Sequence, residues 1–406
     1  MEEWKKYHIG DICKSVSETY RRNSDMVVLV NTSDVLDGVC LNHSFVQNKD
    51  LKGQFKKSFK KDDILYSEIR PANKRYAYID FDPLDYVAST KLMVIRCSKL
   101  VRPRYLYHFL KRQEMLDELQ ALAESRSGTF PQITFSELAL FEISLPSLDT
   151  QDRIVAALDV FEDKIALNNR INHNLEEQAE ALYKSWFIDY EPFKDGLFVD
   201  SELGMIPQGW HVGSLSDLGN IVAGGTPSKA KPDYYTEHGI AWLTPKDLSV
   251  KCNKFTERGE IDITESGYKN SSAKIMPRGS VLFSSRAPIG YLSIAKGEIS
   301  TNQGFKSVVP TFAGTAYIYY WLKDNTSAIE AQASGSTFKE ASGALMKSFP
   351  ALVPEIAVLN AFELELAPIF KEQEILEEEI KRTEQIRDLL LPKLMSGDLV
   401  FDDVPC

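Results

Sequence analysis

The chain contains itself twice. Tyr105-Leu106-Tyr107-His108-Phe109-Leu110-Lys111 returns a little over two hundred residues later as Tyr317-Ile318-Tyr319-Tyr320-Trp321-Leu322-Lys323, with four identities and like-for-like replacements elsewhere. The same register links Trp4, Asp11 and Val16 to Trp210, Asp217 and Val222, and Ile64-Leu65-Tyr66-Ser67 to Val281-Leu282-Phe283-Ser284. Solenoid units run to roughly 20 to 50 residues, so a period this long means a duplicated domain, each copy followed by a long helical stretch. A molecule built this way presents two similar surfaces carrying different side chains.

The 406 residues suffice for two or three domains, each with its own core. No apolar run approaches the roughly eighteen residues of a membrane span, and Met1-Glu2-Glu3-Trp4-Lys5-Lys6 does not read as a signal peptide. A cytoplasmic protein without a membrane partner is expected. The five cysteines, Cys13, Cys40, Cys97, Cys252 and Cys406, form no CxxC pair and suit reduced thiols.

The net charge of −11 is unevenly spread. Residues 1–112 carry 21 Lys+Arg against 14 Asp+Glu, and residues 207–354 carry 15 against 12. Residues 149–195 hold 5 basic against 11 acidic, and residues 355–406 hold 5 against 13. Two mildly basic globular parts, suited to phosphates, thus alternate with two acidic helical parts, suited to water or protein.

Residues 1–148 read as a mixed α/β domain of short strands, with one helix opened by Pro103 and running to about Glu124. From Asp149 to Trp186 a heptad seam appears: Ile154, Leu158, Phe161, Ile165, Asn168, Asn172, Leu175, Ala179, Leu182 and Trp186 alternate steps of four and three. Such a helix makes a rod of roughly 55 Å, and its two seam asparagines read either as favouring one register or as a local wet patch where the rod flares. The boundaries expected are a central helix at 149–190, a connector at 191–206, a second mixed domain at 207–353, a C-terminal helix at 354–395 and a tail at 396–406. The second seam comprises Leu359, Phe362, Leu366, Ile369, Gln373, Leu376, Ile380 and Thr383, with Pro368 expected to kink or interrupt it and Pro392 and Gly397 to stop it. The fold class is therefore α+β: two similar mixed α/β domains separated by two long helices that pack as an antiparallel coiled coil, with a pseudo-twofold internal repeat.

Catalytic signatures are missing. The sequence has no GxxxxGK[ST] phosphate loop, no GxGxxG after a strand, no HExxH and no GxSxG. The six histidines lack metal-ligand spacing, and neither an Asn-Pro-Pro-aromatic loop nor a glycine-rich cofactor strand of a DNA amine methyltransferase is present. Binding without catalysis, no cofactor and no metal are expected. Competing readings are a protein-binding coiled-coil scaffold and a DNA methyltransferase or nuclease with an unrecognised site.

Candidate binding residues lie where the copies agree in position and offer side chains suited to nucleic acid. Arg70, Asn73, Lys74 and Arg75 follow the strand Ile64 to Tyr66, and Ser284, Ser285 and Arg286 follow its counterpart. Lys91, in Ser89-Thr90-Lys91, is matched by Asn302 and Gln303 in Ser300-Thr301-Asn302-Gln303. A polar loop after the aromatic helix supplies Arg126, Thr129 and Gln132 in one copy and Ser336, Thr337 and Lys339 in the other. The aromatic segments themselves have helical spacing and read as core.

Three segments resemble the DNA-specificity subunits of type I restriction-modification systems. They are Ile206-Pro207-Gln208-Gly209-Trp210 followed by Gly224-Gly225-Thr226-Pro227, the helix end Ala181-Leu182-Tyr183-Lys184-Ser185-Trp186-Phe187-Ile188-Asp189-Tyr190-Glu191-Pro192-Phe193, and Leu389-Leu390-Leu391-Pro392-Lys393-Leu394-Met395-Ser396-Gly397-Asp398-Leu399. The first domain lacks both the Gly-Gly-Thr-Pro turn and the Ile-Pro-x-Gly-Trp opening. The resemblance implies a non-catalytic subunit whose two target-recognition domains each read half of a bipartite, asymmetric double-stranded DNA sequence. It also implies two methyltransferase subunits, carrying S-adenosylmethionine, docked on the helices, and an endonuclease and translocase subunit joining them.

Overall fold

The computed structural model describes residues 4–22, 24–48, 53–125, 131–250, 253–335 and 339–399. The chain forms two compact units, the first running to Ile165 and resuming at Arg382, the second spanning Ala166–Lys381. Each unit thus combines a globular segment with a stretch of both long helices, Leu148–Phe187 and Ile356–Ser396.

The first unit holds β1 (Lys5–His8), β2 (Cys13–Val16), β3 (Met26–Val30), β4 (Val35–Leu36), β5 (Val39–Cys40), β6 (Phe45–Gln47), β7 (Phe55–Lys57), β8 (Ile64–Ser67), β9 (Tyr76–Tyr78), β10 (Tyr86–Ser89), β11 (Leu92–Cys97) and β12 (Glu142–Leu145). Two four-stranded sheets form, in the orders β6-β3-β10-β7 and β2-β11-β8-β9, and β1 pairs with β12. All of β8 is buried because alternate residues serve two cores. Ile64 and Tyr66 join Met93, Ile95 and the aromatic helix, whereas Leu65 joins Val28, Val30, Leu92 and Val94.

The second unit holds β13 (Phe198–Val199), β14 (Ile206–Pro207), β15 (His211–Ser214), β16 (Gly219–Ala223), β17 (Tyr235–Thr236), β18 (Trp242–Leu243), β19 (Phe255–Thr256), β20 (Asp262–Ile263), β21 (Val281–Ser285), β22 (Ile289–Ala295), β23 (Ser300–Thr301), β24 (Lys306–Pro310) and β25 (Pro350–Val353). Its main sheet, β16-β24-β21-β22-β19, repeats the first unit's β2-β11-β8-β9 and adds one strand, and β15 pairs with β25 as β1 does with β12. The repeated aspartates have a local cause. Asp11 and Asp217 each accept the backbone N–H three residues back, from His8 at 3.1 Å and Ser214 at 2.7 Å, closing a capping box on the short helix that follows.

The repeated aromatic segment is core in both copies: Tyr105 to Leu110 and Tyr317 to Leu322 are all buried. The single helix expected from Pro103 to Glu124 is instead two, Pro103–Leu110 and Gln113–Glu124, parted where Arg112 adopts an extended ψ of 142° and lays its guanidinium 4.0 Å over the Phe109 ring. The second copy keeps one unbroken helix, Thr315–Gln332.

Within each unit the long helices run antiparallel. In the second, Asn168 Nδ2 donates to Glu379 Oε2 at 3.0 Å, Gln373 Nε2 donates to the Asn172 carbonyl at 3.4 Å, and the Phe187 and Phe362 rings sit 4.8 Å apart. In the first, Arg387 pairs with Glu162 at 3.2 Å, and Ile154 and Leu158 share a core with Leu391, Leu394 and Met395. Of the seam residues, Ile154, Leu158, Leu359, Phe362, Leu366 and Leu376 are buried, and Phe161, Ile165, Leu175, Leu182, Ile369 and Ile380 are half-buried. Neither Pro368 nor Pro392 breaks the C-terminal helix, contrary to expectation; it continues to Ser396, and Gly397 ends it at φ +80°. Pro368 removes the donor that the Leu364 carbonyl would take, but both residues are exposed, so water can replace it. Among the described residues no helix is long and apolar enough to cross a membrane.

Candidate nucleic-acid interface

In the first unit three sequence-distant segments meet at the end of β8. The Glu68 N–H donates to the Lys91 carbonyl at 3.0 Å, the Ile133 N–H donates to the Glu68 carbonyl at 2.8 Å, and the Arg70 N–H donates to the Pro131 carbonyl at 3.1 Å. Side chains follow the backbone: Lys91 Nζ donates to Gln132 Oε1 at 3.1 Å and lies 3.5 Å from the Glu68 carboxylate. Arg70, Asn73 and Lys91 are exposed, whereas Lys74 and Gln132 are half-buried. Arg75 is also half-buried and partly committed, because its guanidinium donates to the Ser33 carbonyl at 3.0 Å and so holds the neighbouring turn.

The second unit repeats this junction. The Ser285 N–H donates to the Gly304 carbonyl at 2.7 Å, and the Ala341 N–H donates to the Ser285 carbonyl at 2.9 Å. These are the bonds of Glu68 to Lys91 and of Ile133 to Glu68, reproduced in the second copy. Arg286 and Lys306 converge on the Glu340 carboxylate at 3.4 and 3.2 Å. Glu340 thereby takes the place that Gln132 holds opposite Lys91. One backbone feature is shared: Arg70 at φ +47° and Ala287 at φ +54° are non-glycine residues in the left-handed region, each followed by a proline, Pro71 and Pro288. Such a conformation costs about 1 to 3 kcal/mol and concentrates where a loop has a job beyond folding.

Ser284 and Ser285 are corrections. Both are fully buried; Ser284 Oγ donates to the Pro288 carbonyl and accepts the Tyr291 N–H, and Ser285 Oγ donates to the Gly304 carbonyl. They hold the β21–β22 turn together and offer nothing to a duplex, because the strand continues through both before it turns. Arg286 stays half-buried at the turn, and Gln303 is exposed. Asn302 uses its side-chain oxygen to accept the Gly304 N–H at 2.8 Å, and Lys339 donates to the Glu330 carbonyl at 3.3 Å. Arg126, Thr129, Ser336 and Thr337 lie outside the described residues.

The Gly-Gly-Thr-Pro segment belongs to this junction. A Cβ on Gly224 would sit 1.9 Å from the Asn302 carbonyl oxygen, and one on Gly225 would sit 2.3 Å from the Ala273 nitrogen, so only glycine lets the chain pass between them. Thr226 then hydrogen-bonds Gln303, and the Gly225 N–H donates to the Thr301 carbonyl at 2.8 Å. Beyond it Lys229 and Lys231 are exposed, as is Lys274 next to Ala273. Position matching between the two copies does not single these three lysines out. Pro71 and Pro288, four residues after the matched serines Ser67 and Ser284, were a signal in plain sight.

The acidity of the helices is partly spent inside the second unit, contrary to a purely solvated face. Glu363 accepts the backbone N–H groups of Ala316 and Tyr317 at 3.1 and 2.9 Å, and both Glu374 oxygens accept from Arg278 Nη2 at 2.9 and 2.7 Å. Among the described residues no cluster of three or more His, Cys, Asp or Glu side chains could hold a metal.

The profile of the family described as the type I restriction modification DNA specificity domain matches residues 1–177 and 207–358. The chain is 32% identical over 462 aligned positions to the type I restriction enzyme HindI specificity subunit of Haemophilus influenzae, covering 98% of this chain and 100% of that one. It is 37% identical over 190 positions to the MjaIX specificity subunit of Methanocaldococcus jannaschii, covering 44% of each chain. In fold it is similar to the S subunit of a type I restriction-modification system from M. genitalium, with a TM-score of 0.57 at 14% identity over 97% of this chain and 96% of that one. With the duplicated junction and a match along nearly its whole length, the chain belongs to the type I restriction-modification DNA specificity family, as a specificity subunit.

Proposed function

We propose that the chain reads a bipartite, asymmetric duplex, one half-site per unit, through the two matched junctions, and that it does no chemistry itself. The observation that supports this most is the reuse of one three-segment junction with different side chains: Arg70, Asn73, Lys91 and Gln132 in one unit, Arg286, Gln303 and Glu340 in the other. A shared backbone frame sets both loops to the same kind of surface, and the changed side chains change what is read. Arg and Lys suit guanine O6/N7 or phosphate, and Asn and Gln suit adenine N6/N7.

Methyltransferase subunits dock on the long helices and bring S-adenosylmethionine; an endonuclease and translocase subunit completes the assembly. Apolar side chains left in solvent on those helices suit such docking, including Val160 at 65% exposure and Leu389 at 68%. The test is to map modified adenines in cells that express the chain with its methyltransferase subunit. One bipartite motif is expected, and none from either protein alone. Gln303→Ala should relax one half of the motif and Lys91→Ala the other, each by about 1 to 3 kcal/mol of discrimination if a base is touched. Methylation or cleavage by the purified chain alone would refute the reading.

A further inference from the structure

β19 borders the second unit's sheet, and the residue before it, Lys254, is 7% exposed. Its ammonium donates to Glu176 Oε2 at 2.7 Å on the central helix, to Gln373 Oε1 at 2.8 Å on the C-terminal helix and to the Tyr320 hydroxyl at 2.7 Å on the aromatic helix. That uses all three of its donors. The same nitrogen stands 3.9 Å from the Phe370 ring centroid, and Glu377 accepts the backbone N–H groups of Lys254 and Phe255 at 2.8 and 3.1 Å.

We infer that Lys254 is a positioning residue, which by joining β19 to both long helices sets where the second unit holds its DNA-facing turn. The inference rests on the DNA-reading function proposed above. A short path connects the lysine to that turn: the Lys254 carbonyl accepts the Ile294 N–H at 2.7 Å and the Ser293 hydroxyl at 3.1 Å, both on β22. β22 pairs with β21, and residues 286–288 are the turn between them.

Two observations separate positioning from folding. First, the fold is made without a side chain on this rung. In the first unit the Tyr78 N–H donates to the Gly38 carbonyl at 3.2 Å, as Ile294 does to Lys254, and Tyr78 pairs with Ile64 as Ile294 pairs with Val281. Gly38 therefore occupies the place of Lys254. Second, removing the ammonium orphans no charge: Glu176 keeps Lys323 at 2.7 Å and the Gln373 amide at 3.1 Å. Buried ion pairs are a poor source of net stability compared with apolar packing; their best-attested use is to fix register.

Lys254→Met in the full chain, co-expressed with the methyltransferase subunit, tests this by sequencing modified adenines in the cell's own genomic DNA. The wild type should mark one motif with one spacer length. Lys254→Met should keep the bases of both halves yet raise modification at sites whose spacer is one base pair longer or shorter by about tenfold, the equivalent of about 1.4 kcal/mol of lost discrimination. Lys254→Arg, which keeps the charge, should restore the single spacer. An unchanged spacer in Lys254→Met would overturn the inference. So would a Lys254→Met that melts early and marks nothing, if Lys254→Arg fails to recover the motif. A wild type that marks no bipartite motif fails the underlying function and takes the inference with it.

Discussion

The first unit fills its buried cationic position from the end of a helix, and the second fills it from the residue that precedes an edge strand. Lys111, at the end of the first aromatic helix, has a side chain only 6% exposed and pairs with Glu162, which also takes Arg387. Its counterpart Lys323 is 41% exposed and reaches Glu176 and Glu180 from the rim. The buried amine there belongs to Lys254, on the rung where the first unit has Gly38 at φ +101°. A Cβ on Gly38 would come 2.1 Å from the Tyr107 hydroxyl, so no lysine could enter from that side. The duplication preserved a frame and a need for charge beside the helices, while the element supplying the charge diverged. The apolar joints diverged too: aliphatic in the first unit, with Ile154, Leu158, Leu391 and Leu394, and aromatic in the second, with Tyr183, Phe187, Tyr317 and Phe362.

The largest expected effect tests whether these joints are separate. Phe362 and Leu158 are both fully buried. Phe362→Ala should cost about 4 kcal/mol and Leu158→Ala about 3 kcal/mol, from lost burial plus the cavity left behind. Hydrogen exchange should show β21 deprotected in Phe362→Ala with β8 little changed, and the reverse in Leu158→Ala. Equal deprotection of both strands by either variant would mean one cooperative body, and the comparison between units would lose its energetic meaning.

Acid should sharpen the contrast. In the first unit His108 is fully buried, and burial pushes its imidazole down to about 4 even though Nε2 lies 2.9 Å from Asp159. Between its ordinary value of 6.5 and 4 the unfolded chain takes up a proton that the folded chain refuses, so stability falls across that window by on the order of 3 kcal/mol. In the second unit burial would raise Glu176, but Lys254 and Lys323 overcome it and hold the carboxyl at about 2. Its contribution is present above 4.5 and lost as pH falls from 4.5 to 2. Glu377 runs the other way: burial pushes it up to about 7, so it adds stability below 4.5 that disappears as pH rises through 7. Exchange measured at pH 7, 5 and 3 should therefore show β8 loosening by pH 5 and β21 only by pH 3. Earlier loosening of β21 would contradict these environments.

How much of this was readable beforehand depends on periodicity. The duplication stood out because its markers are buried aromatics and capping aspartates, which the frame itself requires. The seam stood out because burial every three or four residues is written directly into Ile154, Leu158 and Leu359, Phe362, Leu366. Prolines misled, because Pro368 and Leu364 are both exposed, where water can take the freed carbonyl and the helix runs on. Ser284 and Ser285 misled because a strand's end does not show in a run of serines. Lys254 was invisible: one lysine among polar neighbours carries no pattern, and only the fold brings Glu176, Tyr320 and Gln373 around it. The junction residues lay between these cases, since the matched positions converge in one junction per unit without distinguishing Arg70, exposed, from Arg75, tied to Ser33.

The smallest effect is a control on the repeat. Asp11 and Asp217 do the same job in the two copies, so replacing either by alanine should cost about 1 kcal/mol. The second should cost slightly more, because Asp217 also accepts the Ser214 hydroxyl at 2.8 Å, whereas the capping position of the first copy is His8, whose ring faces the Leu140 carbonyl. Ser214→Ala should therefore reduce the Asp217→Ala penalty in a double-mutant cycle, and His8→Ala should leave the Asp11→Ala penalty unchanged. If the cycles agree between the units, the capping boxes are equivalent after all. The divergence would then be confined to the joints with the helices and to the junction loops, where the two copies carry different side chains.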